Sequence, residues 1–155
     1  MRTIPDDAGR NAPRARTLGL DYGDRRIGVA LSDPLGLTAG PLLTLTRTNW
    51  KDDLARLRDL AREHHVERIV VGLPLEMDGS ERERGRLARR FMDRVRGATG
   101  LPVIAWDERL TTVQAERTLL EGDVSRARRR EVIDQVAAVI LLQAYLDARN
   151  AEERA

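Results

Sequence analysis

Thr17-Leu18-Gly19-Leu20-Asp21, then Tyr22-Gly23-Asp24-Arg25, then Arg26-Ile27-Gly28-Val29-Ala30-Leu31-Ser32: this stretch decides the fold. Two short apolar runs separated by a glycine-containing loop read as a β-hairpin. Pro34, Gly36, Gly40 and Pro41 mark the next turn, and residues 42–46 alternate as a third strand. Asn49 then caps a helix that carries Leu54, Leu57, Leu60 and Ala61 on one face to about His64. Residues 68–72 (RIVVG) are β-branched and bounded by glycine and proline, as a buried parallel strand is.

Ser80 and Glu83 have the spacing of a capping box that opens a helix with Leu87, Phe91 and Val95 on one face. Residues 103–106 form a fifth strand. Thr111 and Gln114 repeat the capping-box spacing ahead of a helix to about Glu121. Residues 122–130 read as a polar, arginine-rich loop, and 132–145 as a largely buried last helix. The expected fold class is α/β. Three antiparallel N-terminal strands and two parallel ones form a mixed five-stranded sheet with helices on both faces. The same order of elements occurs in the ribonuclease H-like fold. One domain is expected over 17–150, with tails at 1–16 and 151–155.

Composition bounds the chemistry. The chain has 155 residues, 34% of them charged, and no run long enough to cross a bilayer. It has no cysteine, which excludes disulfides, thiolate metal sites and cysteine nucleophiles and fits a reducing cytoplasm. Residues 1–16 hold no apolar stretch of the signal-peptide kind. Lysine and arginine number 27 against 25 aspartates and glutamates, so the net charge of +2 says little about partners. Aromatic side chains are too few for an RNA-recognition sheet that stacks bases.

Three acids stand out. Asp21 ends a central strand, where a carboxylate is costly unless it is paired, hydrogen-bonded or on a metal. Its bland reading is a cap for the turn at Gly23. Glu108 follows the fifth strand, at the sheet edge where α/β sites form; its bland reading is a solvated acidic pair tied to Arg109. Asp134 opens the last helix on a face that continues through Ala138 and Leu141; its bland reading is a first-turn acid favoured by the helix dipole. Together they make an all-oxygen donor set suited to Mg²⁺ or Mn²⁺ rather than zinc. Two such ions would serve phosphodiester cleavage. Glu131 and Glu76 are further acids within reach of such a site. His64 and His65 diverge on a helix end and read as surface residues.

Two basic segments accompany them. The arginines between 82 and 96 read as a solvated face paired in part with Glu81, Glu83 and Asp93. Arg126, Arg128, Arg129 and Arg130, offset only by Asp123 and Glu131, are the better candidates for phosphate contact, together with Arg109. The Ser80 end of its helix offers free N–H groups to a phosphate.

Four ordered motifs then resemble the YqgF/RuvX family of Holliday-junction resolvases and pre-16S rRNA nucleases. They are residues 19–33 (GLDYGDRRIGVALSD), Val71-Gly72-Leu73-Pro74 with Met77-Asp78-Gly79-Ser80, residues 107–112 (DERLTT), and residues 133–138 (IDQVAA) with 142–146 (LQAYL). The resemblance runs from Thr17 to Asp147. It implies a ribonuclease H-like fold and a divalent-metal nuclease whose acids fall on Asp21, Glu108 and Asp134. It also implies either trimming of the small-subunit rRNA precursor at its 5′ end or resolution of branched DNA, the latter calling for a homodimer. Glu76 departs from the family, which often has a small polar residue there. Two other classes compete: an actin-like ATPase, which needs two such lobes, and a non-catalytic ribosome-assembly factor.

Overall fold

The computed structural model describes residues 16–111 and 126–154, with the side chains of 126–131 outside that description. Five strands form one sheet in the order β3-β2-β1-β4-β5. They are β1 (Arg16–Tyr22), β2 (Arg26–Ser32), β3 (Ala39–Thr46), β4 (Val66–Leu73) and β5 (Val103–Asp107). β2 runs antiparallel to β1 and β3, whereas β1, β4 and β5 are parallel. The hairpin and the parallel half therefore meet at β1, as expected. Helices α1 (Trp50–Glu63) and α2 (Glu83–Thr99) cover one face, and α3 (Arg126–Arg154) covers the other.

Strand alternation divides the core in two. Leu18, Leu20, Ile27, Val29, Ile69 and Val71 face α1 and α2, where they pack on Leu57, Phe91 and Val95. Ala30 and Val70 face α3 and meet Ala138, Leu141, Leu142 and Leu146. At about 25 cal/mol per Å² of apolar surface, each fully buried leucine or phenylalanine contributes roughly 1.5–3 kcal/mol.

The caps are mixed. Asn49 accepts from the Asp52 amide at 2.9 Å and starts α1 as expected. Asp53, buried one position further on, accepts from the backbone and hydroxyl of Thr48. The Ser80–Glu83 capping box does not form. Asp78 competes for Ser80: its Oδ1 accepts from the Ser80 hydroxyl at 2.7 Å and from the Ser80 amide at 2.9 Å. α2 instead begins after Arg82, which makes no side-chain cap. The expected phosphate site at Ser80 is thus not a helix start.

The last helix is longer at both ends than expected. Residues 126–130, read as part of a loop, are helical, and so are 151–154, read as a tail. Arginine, alanine and glutamate are good helix formers, and no glycine or proline follows Gly122 to break the run. β1 likewise takes in Arg16, whose amide donates to the His65 carbonyl at 3.0 Å. The expected helix after Thr111 and the 1–15 tail lie outside the described residues. No helix among the described residues is long and apolar enough to cross a membrane.

Candidate active site

The acids gather at the carboxyl end of β1, on the face that α3 covers. Asp21 is 3% exposed and sits directly across the β1–β2 ladder from Gly28. The missing side chain at Gly28 is what lets α3 come down. A methyl group there would lie 2.0 Å from the Asp134 carbonyl oxygen and 2.5 Å from its carbonyl carbon. On the other side of β1, the β4 residue Gly72 performs the same service for Glu108. A methyl group at Gly72 would lie 2.7 Å from Glu108 Oε1 and 3.3 Å from Leu141. Two glycines flank the central acid, and a second acid approaches over each.

Asp21 and Glu108 line one small pocket with Tyr22, Asp24, Pro74 and Arg84. Asp134 opens onto the adjoining hollow with Asp24, Arg25 and Arg26. Arg26 Nε donates to Asp134 Oδ2 at 3.0 Å, and both side chains are about three-quarters or more buried. Among the described residues no three acidic or histidine side chains form a ready cation cluster. Two carboxylates share a pocket, and the third is held by Arg26 at its rim. The donors are all hard oxygens. Asp21 and Glu108 share one pocket and fit a hard divalent cation in donor chemistry.

Arg109 also has a role that its position in the sequence does not suggest. Its guanidinium forks onto Asp107, with Nη2 to Oδ2 at 2.7 Å, and its Nη1 donates to the Met77 carbonyl at 3.3 Å. Asp107 also accepts from the Arg109 amide and so caps the short 3₁₀ turn Glu108–Leu110 that carries Glu108. The hydrogen bond from Arg109 holds the Asp107 carboxyl below its usual range. The Ser80 hydroxyl does the same for Asp78 in the facing loop. The acidic pair expected at 107–108 is thus divided: Asp107 braces the turn and Glu108 points into the pocket.

Glu76 faces Arg82 at 3.9 Å on an exposed surface and does not line the acidic pocket. The side chains of Glu131, Arg126, Arg128, Arg129 and Arg130 lie outside the described residues. Asp24 and Arg84 were missed by sequence reasoning. Asp24 lies within an ordinary turn sequence, and Arg84 is one of many arginines in its segment, so neither carries a local signal. Pocket geometry alone separates them.

Comparison with known proteins agrees with this architecture. A family model described as RuvX, Holliday junction resolvase, matches residues 15–148. A Myxococcus xanthus protein named "Putative pre-16S rRNA nuclease" is 59% identical over 135 residues, covering 87% of this chain and 89% of its own. A Symbiobacterium thermophilum protein of the same name is 59% identical over 133 residues, covering 86% and 92%. In structure, the chain resembles Thermus thermophilus RuvC in complex with a Holliday junction substrate, with a TM-score of 0.58 at 17% identity, covering 89% of this chain and 97% of that one. That likeness speaks for the ribonuclease H-like fold. With a family model spanning nearly all of the described sheet and helices, the chain belongs to the RuvX family, the one its four motifs resemble.

Proposed function

We propose that the chain is a nuclease that hydrolyses phosphodiester bonds in structured nucleic acid, and that its substrate is the 5′ region of the 16S rRNA precursor. The observation that supports this reading is the pair of glycines beside buried Asp21, which lets the Glu108 side chain into its pocket and the Asp134 main chain down onto the sheet next to it. The name shared by the 59%-identical relatives supports the RNA substrate. Such a substrate places the protein in the cytoplasm.

Asp21, Glu108 and Asp134 would hold Mg²⁺ or Mn²⁺, with two ions the number suited to the reaction. When bound, the ions supply the charge that acidifies a water and offsets the phosphate. Asp21 anchors the set from the rigid centre of the sheet. Glu108 is fixed in reach by the 3₁₀ turn that Asp107 and Arg109 brace. Asp134, oriented at the rim by Arg26, would complete the set. No side chain acts as the nucleophile. Arg109, Arg126, Arg128, Arg129 and Arg130 would contact the phosphates on the α3 side.

Branched DNA is the second reading, favoured by the description of the family model. Paired cuts in a four-way junction need two active sites, hence a homodimer. The experiment incubates the protein with a precursor-rRNA 5′ fragment and a four-way DNA junction, each with Mg²⁺, Mn²⁺ or EDTA. Metal-dependent cutting of the RNA by a monomer is the expected result. Preferential cutting of the junction by a dimer replaces the rRNA reading. Binding without cutting of either leaves a ribosome-assembly factor.

A further inference from the structure

α2 carries arginines on both flanks, and the two flanks differ. On the flank toward β5, Arg89 pairs with Glu81, and Arg96 pairs with Asp93 at 2.8 Å and donates to the Val103 carbonyl at 3.2 Å. These cations are neutralised within the fold. Elsewhere on the helix, Arg84 near its start and Arg94 toward α1 have no carboxylate partner among the described residues. Arg84 lines the pocket that holds Asp21 and Glu108. Arg94 sits over the Trp50 ring, its guanidinium carbon 4.5 Å from the centroid.

Trp50 belongs to a stack that leads back to the acids. Phe91 stacks on Tyr22 at 4.3 Å, and Tyr22 on Trp50 at 6.1 Å. Tyr22 is the residue next to Asp21 and shares its pocket. Arg47 covers the same stack, 4.6 Å from the Tyr22 centroid, and donates to the carbonyls of Gly23 and Asp24. A guanidinium laid on a ring keeps its in-plane N–H groups for another acceptor and has already lost much of its rotamer freedom. Arg94 uses none of its donors in hydrogen bonds among the described residues. It is a fixed, exposed, weakly hydrated cation, the form in which arginine binds phosphate best.

From Arg84 to Arg94 is ten residues of helix, about 15 Å. One phosphate cannot reach both, whereas a strand of several nucleotides can. We infer that α2 carries a track for a single RNA strand, running from Arg94 on its α1 flank to Arg84 near its start: Arg94 on Trp50 holds the backbone some distance away, and Arg84 holds it where it enters the acidic pocket. The track rests on the nuclease reading above for its choice of RNA. It places phosphate contacts on the α2 side of the site, opposite the arginines at the start of α3.

Fluorescence anisotropy of a labelled single-stranded RNA of about ten nucleotides tests this, in an Asp21→Asn background so that no cleavage is needed. Arg84→Gln with Arg94→Gln is expected to weaken binding about tenfold or more. It should also lower the slope of log affinity against log salt by about 1.4, at roughly 0.7 per phosphate on a single strand. Arg89→Gln with Arg96→Gln, on the other flank, should leave affinity and slope unchanged, with thermal melts confirming that both double variants fold. Arg94→Lys should keep the slope.

Equal losses from the two flanks, or no loss from either, would overturn the track. So would a loss seen with DNA of the same sequence and not with RNA. Failure of the nuclease reading looks different: RNA binding that depends on Arg84 and Arg94, in a wild-type protein that cuts nothing. Conversely, cleavage at unchanged KM without the two arginines removes the track and leaves the nuclease.

Discussion

The two faces of the sheet are built to opposite rules. Toward α1 and α2, the strands present Leu18, Leu20, Ile27, Val29, Ile69 and Val71, all fully buried. Toward α3, the same three strands present Gly19, Gly28, Ala30, Val70 and Gly72. The first face maximises apolar volume. The second gives volume up, so that the α3 backbone can touch the sheet and so that carboxylates fit where leucines would otherwise be. A methyl group at Gly19 would already lie 2.8 Å from Leu142 Cβ. One face supplies stability and the other supplies the site, and the division runs through alternate residues of the same strands.

Substitutions on the two faces should therefore fail in different ways. Leu57→Ala, in the α1 core, should cost about 2–5 kcal/mol in urea unfolding while folded molecules cut at close to the wild-type rate. A comparable loss of kcat would mean that the faces are not separable. Gly28→Ala drives a methyl group into the Asp134 main chain, which cannot swing aside. It should cost about 1–3 kcal/mol and abolish cleavage, whereas Gly40→Ala, with open space around it, should stay within about 0.5 kcal/mol.

Gly72→Ala is gentler, because the group in its way is the end of the Glu108 side chain. Stability should change by less than about 1 kcal/mol. Displacing Glu108 by about an ångström should lower kcat on the order of a hundredfold. Unchanged kcat in this variant would remove Glu108 from the site.

The smallest effect concerns the brace beneath Glu108. The hydrogen bond from Arg109 lowers the Asp107 pKa below 3.8. A depressed carboxyl pKa adds stability that is complete above the unfolded value and is lost as pH falls through the folded one. The 108–110 turn should thus be insensitive to pH between 5 and 8 and loosen only in acid. An NMR titration of Asp107 should give a midpoint below 3.8, moving up toward that value in Arg109→Ala; no movement would unlink the pair.

The sheet was legible because its signals are local. Alternation in 17–32 and the apolar run at 68–72 need no tertiary information, and Asn49 caps α1 on its own. Asp21, Glu108 and Asp134 were each readable as acids in unusual places, and the fold brings all three to one edge. What stayed hidden depends on competition or on what covers what. Ser80 looks like a cap until Asp78 takes its hydroxyl. Arg109 reads as a phosphate ligand, and its grip on Asp107 appears only in the fold. Residues 126–130 look like a loop until a continuous helix includes them. The purpose of Gly28 and Gly72 depends on Asp134 and Glu108, which are remote in sequence and meet them only in the fold.

In the reading proposed above, Asp21 organises a phosphodiesterase site without holding up the fold. The most direct measurement compares wild type with Asp21→Asn, an isosteric change, for cleavage of the precursor-rRNA 5′ fragment in Mn²⁺, with thermal melts in parallel. Loss of cutting by a folded protein with a melting temperature close to that of the wild type is the predicted result, since asparagine keeps the shape of the side chain. Cutting by Asp21→Asn at the wild-type rate would remove Asp21 from the site.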